Sequence, residues 1–346
     1  MGQARLYRME KLLGKTLQEL QVIVKDLGMP GYTAKQMANW LYKKKVSSID
    51  EMSNISLLHR NLLKAAFSIG KTSFLGKQKS TDGTVKYLFP TSSNKLVETV
   101  FIPDKERATL CVSSQVGCKM NCLFCMTGKQ GFNGQLSSSD IINQIVSISE
   151  TEQLTNLVFM GMGEPLDNLT ELLKSLDVLT ADYGFAWSPK RITVSTIGLI
   201  PGLKRFLEES KIHLAVSLHS PFHDERLALM PIEKVYPIRE VISLIKKYDF
   251  SHQRRVSFEY IMFGGYNDTI KHANALRELI KDIPCRVNLI KYHRIPGIDL
   301  PESDTQAMEK FKDFLNSKGI ICTIRSSRGE DILAACGMLS SNYANS

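Results

Sequence analysis

The sequence predicts an α/β fold in which a small helical module precedes a parallel sheet that is closed or partly closed into a barrel. Short apolar, β-branched runs alternate with longer amphipathic stretches from residue 104 onward, which is typical of repeated βα units. Polar motifs fall where the predicted strands end, and in parallel barrels this edge holds the functional site. Residues 1–70 instead show helical periodicity alone.

The N-terminal region is predicted to form three helices, over residues 16–27, 33–45 and 49–67. Apolar residues recur there at intervals of three and four, and Gly28, Pro30 and Gly31 separate the first two helices. We interpret residues 1–70 as a helical accessory domain. Its lysine triplet, at positions 43–45, is open to two interpretations, an RNA contact or a solvated helix end.

The rest of the chain divides into a β-rich connecting segment (71–103), a barrel (104–340) and a short tail (341–346). In the connecting segment, turns are predicted at 81–83 and 92–94. Barrel strands are predicted at 109–113, 157–160, 192–195, 214–218, 256–262, 287–290 and 322–324. Helices are predicted between them at 139–150, 168–183, 201–209, 238–247, 269–282 and 304–317.

Composition limits the class of protein. With 346 residues and 43% hydrophobic residues, the chain is long enough for one large domain and a small one. It contains no apolar run of membrane-spanning length and no apparent signal peptide, so we expect a cytoplasmic protein without a membrane partner. In the cytoplasm, the seven cysteines are expected to stay reduced. The net charge of +9 fits a polyanionic partner, but it also fits an ordinary basic protein.

The most specific motif is a cysteine triplet, Cys118, Cys122 and Cys125, in the loop after the first barrel strand. Three thiolates can hold three irons of a cubane cluster and leave the fourth iron open, whereas structural zinc usually takes four protein ligands. The spacing favours the open cluster. A zinc site that recruits Cys111 or a distant histidine remains an alternative, as do three inert buried cysteines.

These cysteines and several further motifs resemble a known family. The triplet, with Phe124 before its last cysteine, resembles the signature of the radical S-adenosylmethionine (SAM) superfamily. The order of the other motifs is similar to that in the dual-specificity ribosomal and transfer RNA adenine methyltransferases. These motifs are CVSSQVGC (111–118), TGKQGF (127–132), MGMGEP (160–165), STIG (195–198), SLH (217–219), RGEDI (328–332) and AACG (334–337). The resemblance implies a partial, TIM-like (β/α)6 radical SAM barrel.

The same resemblance implies a set of cofactor ligands. Cys118, Cys122 and Cys125 would hold a 4Fe–4S cluster. SAM would contact residues at the strand ends, namely Gly163, Glu164, Ser195, Ser217, Leu218, His219 and His293. Taken alone, Ser195 would be a turn serine and His219 an ordinary loop residue. Many relatives have asparagine at the position of His293 and glutamine at that of Met338.

The resemblance also implies a route for methylating an aromatic carbon, which is a poor nucleophile. Cys336 would take a methyl group from one SAM, since a thiol is a strong nucleophile when its pKa is lowered. A radical made from a second SAM would activate that methyl for addition to the purine. Cys111 would release the product by forming a disulfide with Cys336. Glu98, whose pKa an apolar setting would raise, would accept the ring proton.

The implied activity is methylation of carbon 2 of adenosine in 23S rRNA near the peptidyl transferase centre and in tRNA beside the anticodon. An electron donor such as flavodoxin with its reductase would be needed. The sister activity at carbon 8 is the nearest alternative, and a non-catalytic RNA-binding protein with a structural metal is a second. Without the resemblance, Cys336 would be a small core residue; Cys285 and Cys322 are assigned to the core.

Overall fold

The computed structural model describes residues 9–250 and 256–340, so the predicted tail lies outside the described residues. The N-terminal module begins with β1 (Glu10–Lys11), α1 (Leu17–Asp26) and α2 (Thr33–Ala38). Helix α1 starts where predicted because Thr16 and Glu19 form a reciprocal capping box. Helix α2 continues as a π-helical turn, Asn39–Lys43, and Lys45 then adopts a left-handed backbone with φ of 54°.

The third predicted helix, over 49–67, was wrong in extent. A 3-10 turn (Ile49–Glu51) comes first, and α3 (Leu57–Ala66) begins only after Ser56, whose side chain accepts a hydrogen bond from the His59 N–H. Ser48 caps the earlier turn in the same way, so two local caps divide what periodicity alone joined. The short strand β2 (Phe67–Ser68) then pairs in parallel with β1.

The lysine triplet is partly engaged within the protein. Lys45 forms an ion pair with Glu152, and the Lys44 ammonium lies 5.0 Å from the centre of the Trp40 ring. Both contacts fit a structural helix end, so an RNA contact at this triplet stays a prediction.

The connecting segment forms three antiparallel strands, β3 (Gly76–Lys79), β4 (Val85–Pro90) and β5 (Leu96–Asp104). Their turns lie at the two predicted positions. The strand β5 pairs antiparallel with β6 (Arg107–Cys111), the first strand of the barrel. The connecting strands are therefore continuous with the barrel sheet, an arrangement that the sequence did not predict.

A small substructure follows β6. It consists of β7 (Gln115–Gly117), the short helix α4 (Met126–Lys129) and β8 (Phe132–Gln135), with β7 and β8 antiparallel.

The remaining chain alternates strands and helices. The elements are α5 (Ser138–Val146), β9 (Asn156–Phe159), α6 (Leu169–Thr180), β10 (Ile192–Thr196), α7 (Ile200–Glu209), β11 (His213–Ser217), α8 (His223–Leu229), α9 (Ile238–Ile245), β12 (Val256–Met262), α10 (Ile270–Ile280), β13 (Cys285–Lys291), α11 (Thr305–Ser317) and β14 (Ile321–Arg325). All the predicted barrel strands are present, in parallel and in sequence order after β6. Helix α8 was not predicted, because it is short.

The barrel is partly closed, as the resemblance implied. The described part of the chain forms a ten-stranded sheet whose edges are β3 and β14. The loop after β14 bridges these edges: Asp331 accepts hydrogen bonds from Ser80 and Thr81, and the Gly329 N–H donates to Asp82 at 2.9 Å.

A large apolar core runs through the described part of the protein. Residues of the N-terminal module, the sheet and the surrounding helices share one buried cluster, which includes Cys285 and Cys322 as predicted. None of the helices in the described ranges has the length and apolar character needed to cross a bilayer.

Candidate functional site

The cysteine triplet lies in a tight loop between β7 and α4. Gly117 precedes it with φ of +72°, and a Cβ there would come within 1.7 Å of the Gly131 carbonyl oxygen. The same oxygen accepts the Cys118 N–H at 3.1 Å. Close backbone approach at a glycine therefore fixes where the loop leaves the strand.

The three thiols interact electrostatically with one another. Burial is the main cause that raises the pKa of Cys118 to about 12, and Cys125 adds to it. Burial also raises the pKa of Cys122 well above its ordinary value, with contributions from both other cysteines. Thiols with such high pKa values lose their protons readily only when a metal centre binds the sulfur in place of the proton.

Among the described residues, no three histidine, cysteine, aspartate or glutamate side chains converge closely enough to hold a single metal ion. A cubane cluster has a different requirement, because its thiolates bind separate iron corners. Three neighbouring thiols on one loop fit that requirement.

The C-terminal segment docks on this loop. The Met126 N–H donates to the Gly337 carbonyl at 2.8 Å, and the Thr127 hydroxyl donates to the Leu339 carbonyl at 2.7 Å. Cys336, next to Gly337, is exposed. Its thiol interacts with that of Cys125, so folding brings these distant residues together at one site.

Cys111, the last residue of β6, lies on another side of the same site. It is buried, and its thiol interacts with that of Cys336. The surrounding protein raises the pKa of Cys111 to about 12 and that of Cys336 to about 11, while Arg325 opposes both shifts. Among the described residues, Arg325 is the group that acts to lower the pKa of both thiols.

Glu98 is buried on β5, although a lone glutamate on a strand would usually face solvent. One carboxylate oxygen lies 3.0 Å from the ammonium of buried Lys86, and the other accepts the Ser340 N–H at 2.9 Å. Burial raises the pKa of Glu98 against the opposing effect of Lys86, in the direction predicted. Ser340 lies four residues after Cys336, so Glu98 also borders this site.

Gly163 and Glu164 follow β9, as predicted. A Cβ on Gly163 would lie 2.5 Å from the Gln115 side chain, so the backbone approaches β7 closely. The buried Glu164 carboxylate accepts hydrogen bonds from the Thr196 hydroxyl at 2.6 Å and the Ile197 N–H at 3.0 Å. Burial raises its pKa to about 7. Glu164 thus ties the end of β9 to the end of β10, and these bonds occupy part of its capacity as an acceptor.

The other proposed SAM contacts lie at the ends of β10 and β11. Ser195 and Ser217 are half-buried, whereas Leu218 and His219 are buried. The His219 Nδ1 accepts the Ile261 N–H at 3.0 Å, which places the proton of the neutral ring on Nε2. Burial lowers the His219 pKa to about 3, and its ring meets that of Phe124 edge-on at 4.8 Å.

His293 lies two residues after the end of β13, and its side chain faces the loop after β14. Its Nε2 lies 2.7 Å from the Ser327 hydroxyl and its Nδ1 lies 3.1 Å from Glu330, so its ring contacts the loop after β14. Met338 is buried. The role assigned to His293 stays a prediction.

Two charged groups of the site were missed from the sequence. Lys86 pairs with Glu98, and Arg226 lies fully buried near the ends of β10 and β11. In the same region, Arg325 pairs with Glu259 at 3.3 Å. Glu98 lies on the strand next to that of Lys86, and the carbonyls that Arg226 binds lie at or just after the ends of β10 and β11, so sequence spacing held no signal for these contacts. A lysine between Val85 and Tyr87 in an apolar strand was the one available hint.

Comparison with known proteins agrees with this geometry. Residues 112–279 match the Radical SAM superfamily, and residues 10–69 match the ribosomal RNA large subunit methyltransferase N-terminal domain. The chain is 64% identical over 330 residues to a probable dual-specificity RNA methyltransferase RlmN of Parabacteroides distasonis, covering 95% of this chain and 96% of the relative. A protein of the same name from Porphyromonas gingivalis is 56% identical over 335 residues, covering 97% and 98%.

A solved structure is also similar. A radical SAM methyltransferase from Sphaerobacter thermophilus superposes with a TM-score of 0.90 at 35% identity, covering 96% of this chain and all of that one. The protein is therefore an enzyme, and the alternative of a non-catalytic RNA-binding protein was wrong. Radical SAM enzymes use SAM and a 4Fe–4S cluster. On these similarities, the chain belongs to the radical SAM superfamily and, within it, to the RlmN family of RNA methyltransferases.

Proposed function

We propose that this enzyme methylates carbon 2 of adenosine in 23S rRNA and in tRNA, with Cys336 as the methyl carrier. The observation that supports this most directly is the docking of the Cys336 segment on the cluster loop, through Met126 and Gly337. The interaction of the Cys336 thiol with both Cys111 and Cys125 gives further support. The relatives' shared name, dual-specificity RNA methyltransferase, supports two kinds of RNA substrate.

In the proposed site, Cys118, Cys122 and Cys125 hold the cluster. Gly163, Glu164, Ser195, Ser217, Leu218, His219 and His293 contact SAM. When bound, the two cofactors would together supply a 5′-deoxyadenosyl radical, and each methylation would consume two equivalents of SAM. The neutral His219 ring can donate one hydrogen bond from Nε2.

The residues of the chain then act in sequence. The Cys336 thiolate attacks the sulfonium methyl of one SAM and becomes S-methylcysteine, releasing S-adenosylhomocysteine. The 5′-deoxyadenosyl radical takes a hydrogen atom from that methyl and becomes 5′-deoxyadenosine, which leaves a carbon radical that adds to the adenine ring. One further electron then leaves the adduct, for which the cluster, oxidised when SAM was cleaved, would be the acceptor, and Glu98 accepts the ring proton.

The product is then covalently attached to Cys336. The Cys111 thiolate attacks the Cys336 sulfur, so an S–S bond forms while the S–C bond breaks. The electron pair of the broken bond goes to the carbon, which takes up a proton and becomes the methyl group. External thiols must reduce the disulfide before the next cycle.

The remaining proposals concern the surroundings of the enzyme. An electron donor of the flavodoxin type, with its reductase, would reduce the cluster, and the cytoplasm is the expected compartment. The net charge of +9 supports an RNA substrate, because binding releases counterions condensed on the phosphates. The target adenosine has to leave its stack to reach a site at the strand ends.

The test is nucleoside mass spectrometry of rRNA and tRNA from a strain that lacks the gene and from the complemented strain. We expect 2-methyladenosine to disappear and then return. A Cys336→Ala gene serves as the matched control, since its product should fold but not restore the modification. Appearance of 8-methyladenosine instead, or no 2-methyladenosine on complementation, would overturn the proposal.

A further inference from the structure

Arg226, on α8, is the largest side chain that is fully buried in the described part of the protein. A buried guanidinium is costly unless its donors are satisfied. Arg226 meets this requirement with an ion pair to Glu233, itself 1% exposed, and with three backbone carbonyls.

The carbonyls that Arg226 binds belong to the ends of two barrel strands. Its Nε donates to Leu218 at 3.0 Å, and one terminal nitrogen donates to Ile197 at 2.9 Å and to Ser217 at 3.1 Å. Ser217 and Leu218 are proposed SAM contacts. The planar guanidinium spans both strand ends at once, which the single ammonium of lysine cannot do.

A second buried charge completes the connection. The Ile197 N–H donates to the Glu164 carboxylate at 3.0 Å, while the Ile197 carbonyl accepts from Arg226. Glu164, which follows β9, and Arg226 thus hold opposite sides of one peptide segment. Glu233 extends the network by accepting the Ile238 N–H at the start of α9.

Helix α8 is also tied to the cluster loop. The Leu123 N–H, between two cluster cysteines, donates to the Leu229 carbonyl at 2.8 Å at the end of the helix. Cys122 shares a small buried apolar cluster with Ile197, Leu229 and Met230. The element that contains Arg226 therefore contacts the cluster loop on one side and the strand ends on the other.

We infer that Arg226, with Glu233 as its counter-charge, is a positioning residue that sets the strand-end backbone for SAM binding relative to the cluster loop. It acts through Ile197, Ser217 and Leu218. This inference rests on the proposed placement of SAM at these strand ends.

The test compares Arg226→Lys with Arg191→Lys in the reconstituted holoenzyme. Arg191 is a matched control, because it too donates to backbone carbonyls, those of Leu154 and Thr155, but at the opposite end of β10. We expect Arg226→Lys to raise the Kd for SAM about tenfold or more, since several buried acceptors lose their donors. Arg191→Lys should change it less than about twofold. Equilibrium dialysis with labelled SAM measures binding without turnover, and iron content and melting temperature identify any loss of folded protein.

If Arg226→Lys does not fold, Glu233→Gln replaces it, because that variant keeps the guanidinium and its carbonyl bonds and removes only the counter-charge. A Kd raised several-fold is expected there, and a wild-type Kd overturns the inference. For a folded Arg226→Lys, wild-type affinity, or equal weakening by Arg191→Lys, also overturns it. Ser217→Ala distinguishes the placement of SAM from the role of Arg226. If Ser217→Ala weakens SAM binding and Arg226→Lys does not, the role of Arg226 is refuted. If SAM binding is unchanged in both Ser217→Ala and Arg226→Lys, the placement of SAM at these strand ends is refuted.

Discussion

The Met126 N–H donates a 2.8 Å hydrogen bond to the Gly337 carbonyl, and these residues are the immediate neighbours of Cys125 and Cys336. A second bond, from Thr127 to Leu339, lies beside it. Two bonds between the same pair of segments restrict how far the C-terminal thiol can move from the cluster loop. The methyl-carrying role proposed for Cys336 depends on this proximity.

Replacing Cys336 by alanine should abolish RNA methylation, by more than about 10³-fold, because the methyl group has no other thiol to carry it. Reductive cleavage of SAM should continue, since the three cluster ligands are intact. Methylated nucleoside and 5′-deoxyadenosine are measured in the same reaction. Cys322→Ala, in the core, is the matched control and should methylate RNA normally. Normal methylation by Cys336→Ala would contradict the proposed route.

Replacing Cys111 by alanine should stop the reaction one step later. Release of the product needs a thiol that attacks the Cys336 sulfur, so the variant should accumulate RNA attached to protein. The adduct is detected as a slow, ribonuclease-sensitive band on a denaturing gel. It should be absent from the double variant Cys111→Ala with Cys336→Ala. A Cys111→Ala enzyme that turns over without an adduct would leave Cys111 with a packing role only.

The ion pair between Glu98 and Lys86 leads to a prediction about how the methylation rate depends on pH. A proton acceptor works when ionised, so the rate should fall on the acid side as Glu98 becomes protonated. Lys86 lowers the pKa of Glu98 against the effect of burial. Lys86→Met should therefore raise that pKa further and move the acid-side fall in rate to higher pH. Lys86→Arg keeps the charge and should leave the profile near that of the wild type.

The measurement is kcat against pH with saturating RNA and SAM. Glu98→Gln should lose about 10²-fold or more at all pH values, because glutamine accepts no proton. An acid limb that is identical in Lys86→Met and wild type would mean that Glu98 does not govern it.

Much of the barrel could be predicted from the sequence because its signals are local. Each strand from β9 to β14 is a short apolar run bounded by turns, and each of the longer helices between them has the expected periodicity. The prediction of one helix over 49–67 was wrong because it also relied on local periodicity. The apolar periodicity is continuous through this region, but the caps at Ser48 and Ser56 begin two separate helical segments.

The site was only partly predictable, because its polar contacts join distant segments. The cysteine triplet has a recognisable spacing, whereas the pairing of Lys86 with Glu98 depends on which strands are neighbours. Arg226 and Ile197 are brought together by the barrel in the same way. The surrounding protein raises the pKa of Cys336, and Glu259 and Cys125 add to that rise; these groups belong to distant segments, so no local sequence pattern indicates the effect.

The glycine that begins the cluster loop gives the last prediction. Gly117→Ala combines a left-handed backbone, which costs about 1–2 kcal/mol for a residue with a Cβ, with a clash at the Gly131 carbonyl. Overpacking adds about 1–3 kcal/mol, so the free energy of unfolding should fall by about 2–5 kcal/mol. Gly131→Ala has a similar φ of +73° but no atom within 4 Å of its new Cβ. Its free energy of unfolding should therefore fall only by the cost of the left-handed backbone, about 1–2 kcal/mol.

Urea unfolding of both variants, with iron content after reconstitution, measures the difference. Because the Gly131 oxygen also accepts the Cys118 N–H, the Gly117→Ala methyl has to displace the partner of a cluster cysteine. Iron content should therefore fall in Gly117→Ala and stay near normal in Gly131→Ala. Equal losses in the two variants would show that backbone strain alone matters at this turn and that the close approach of the two segments does not position Cys118.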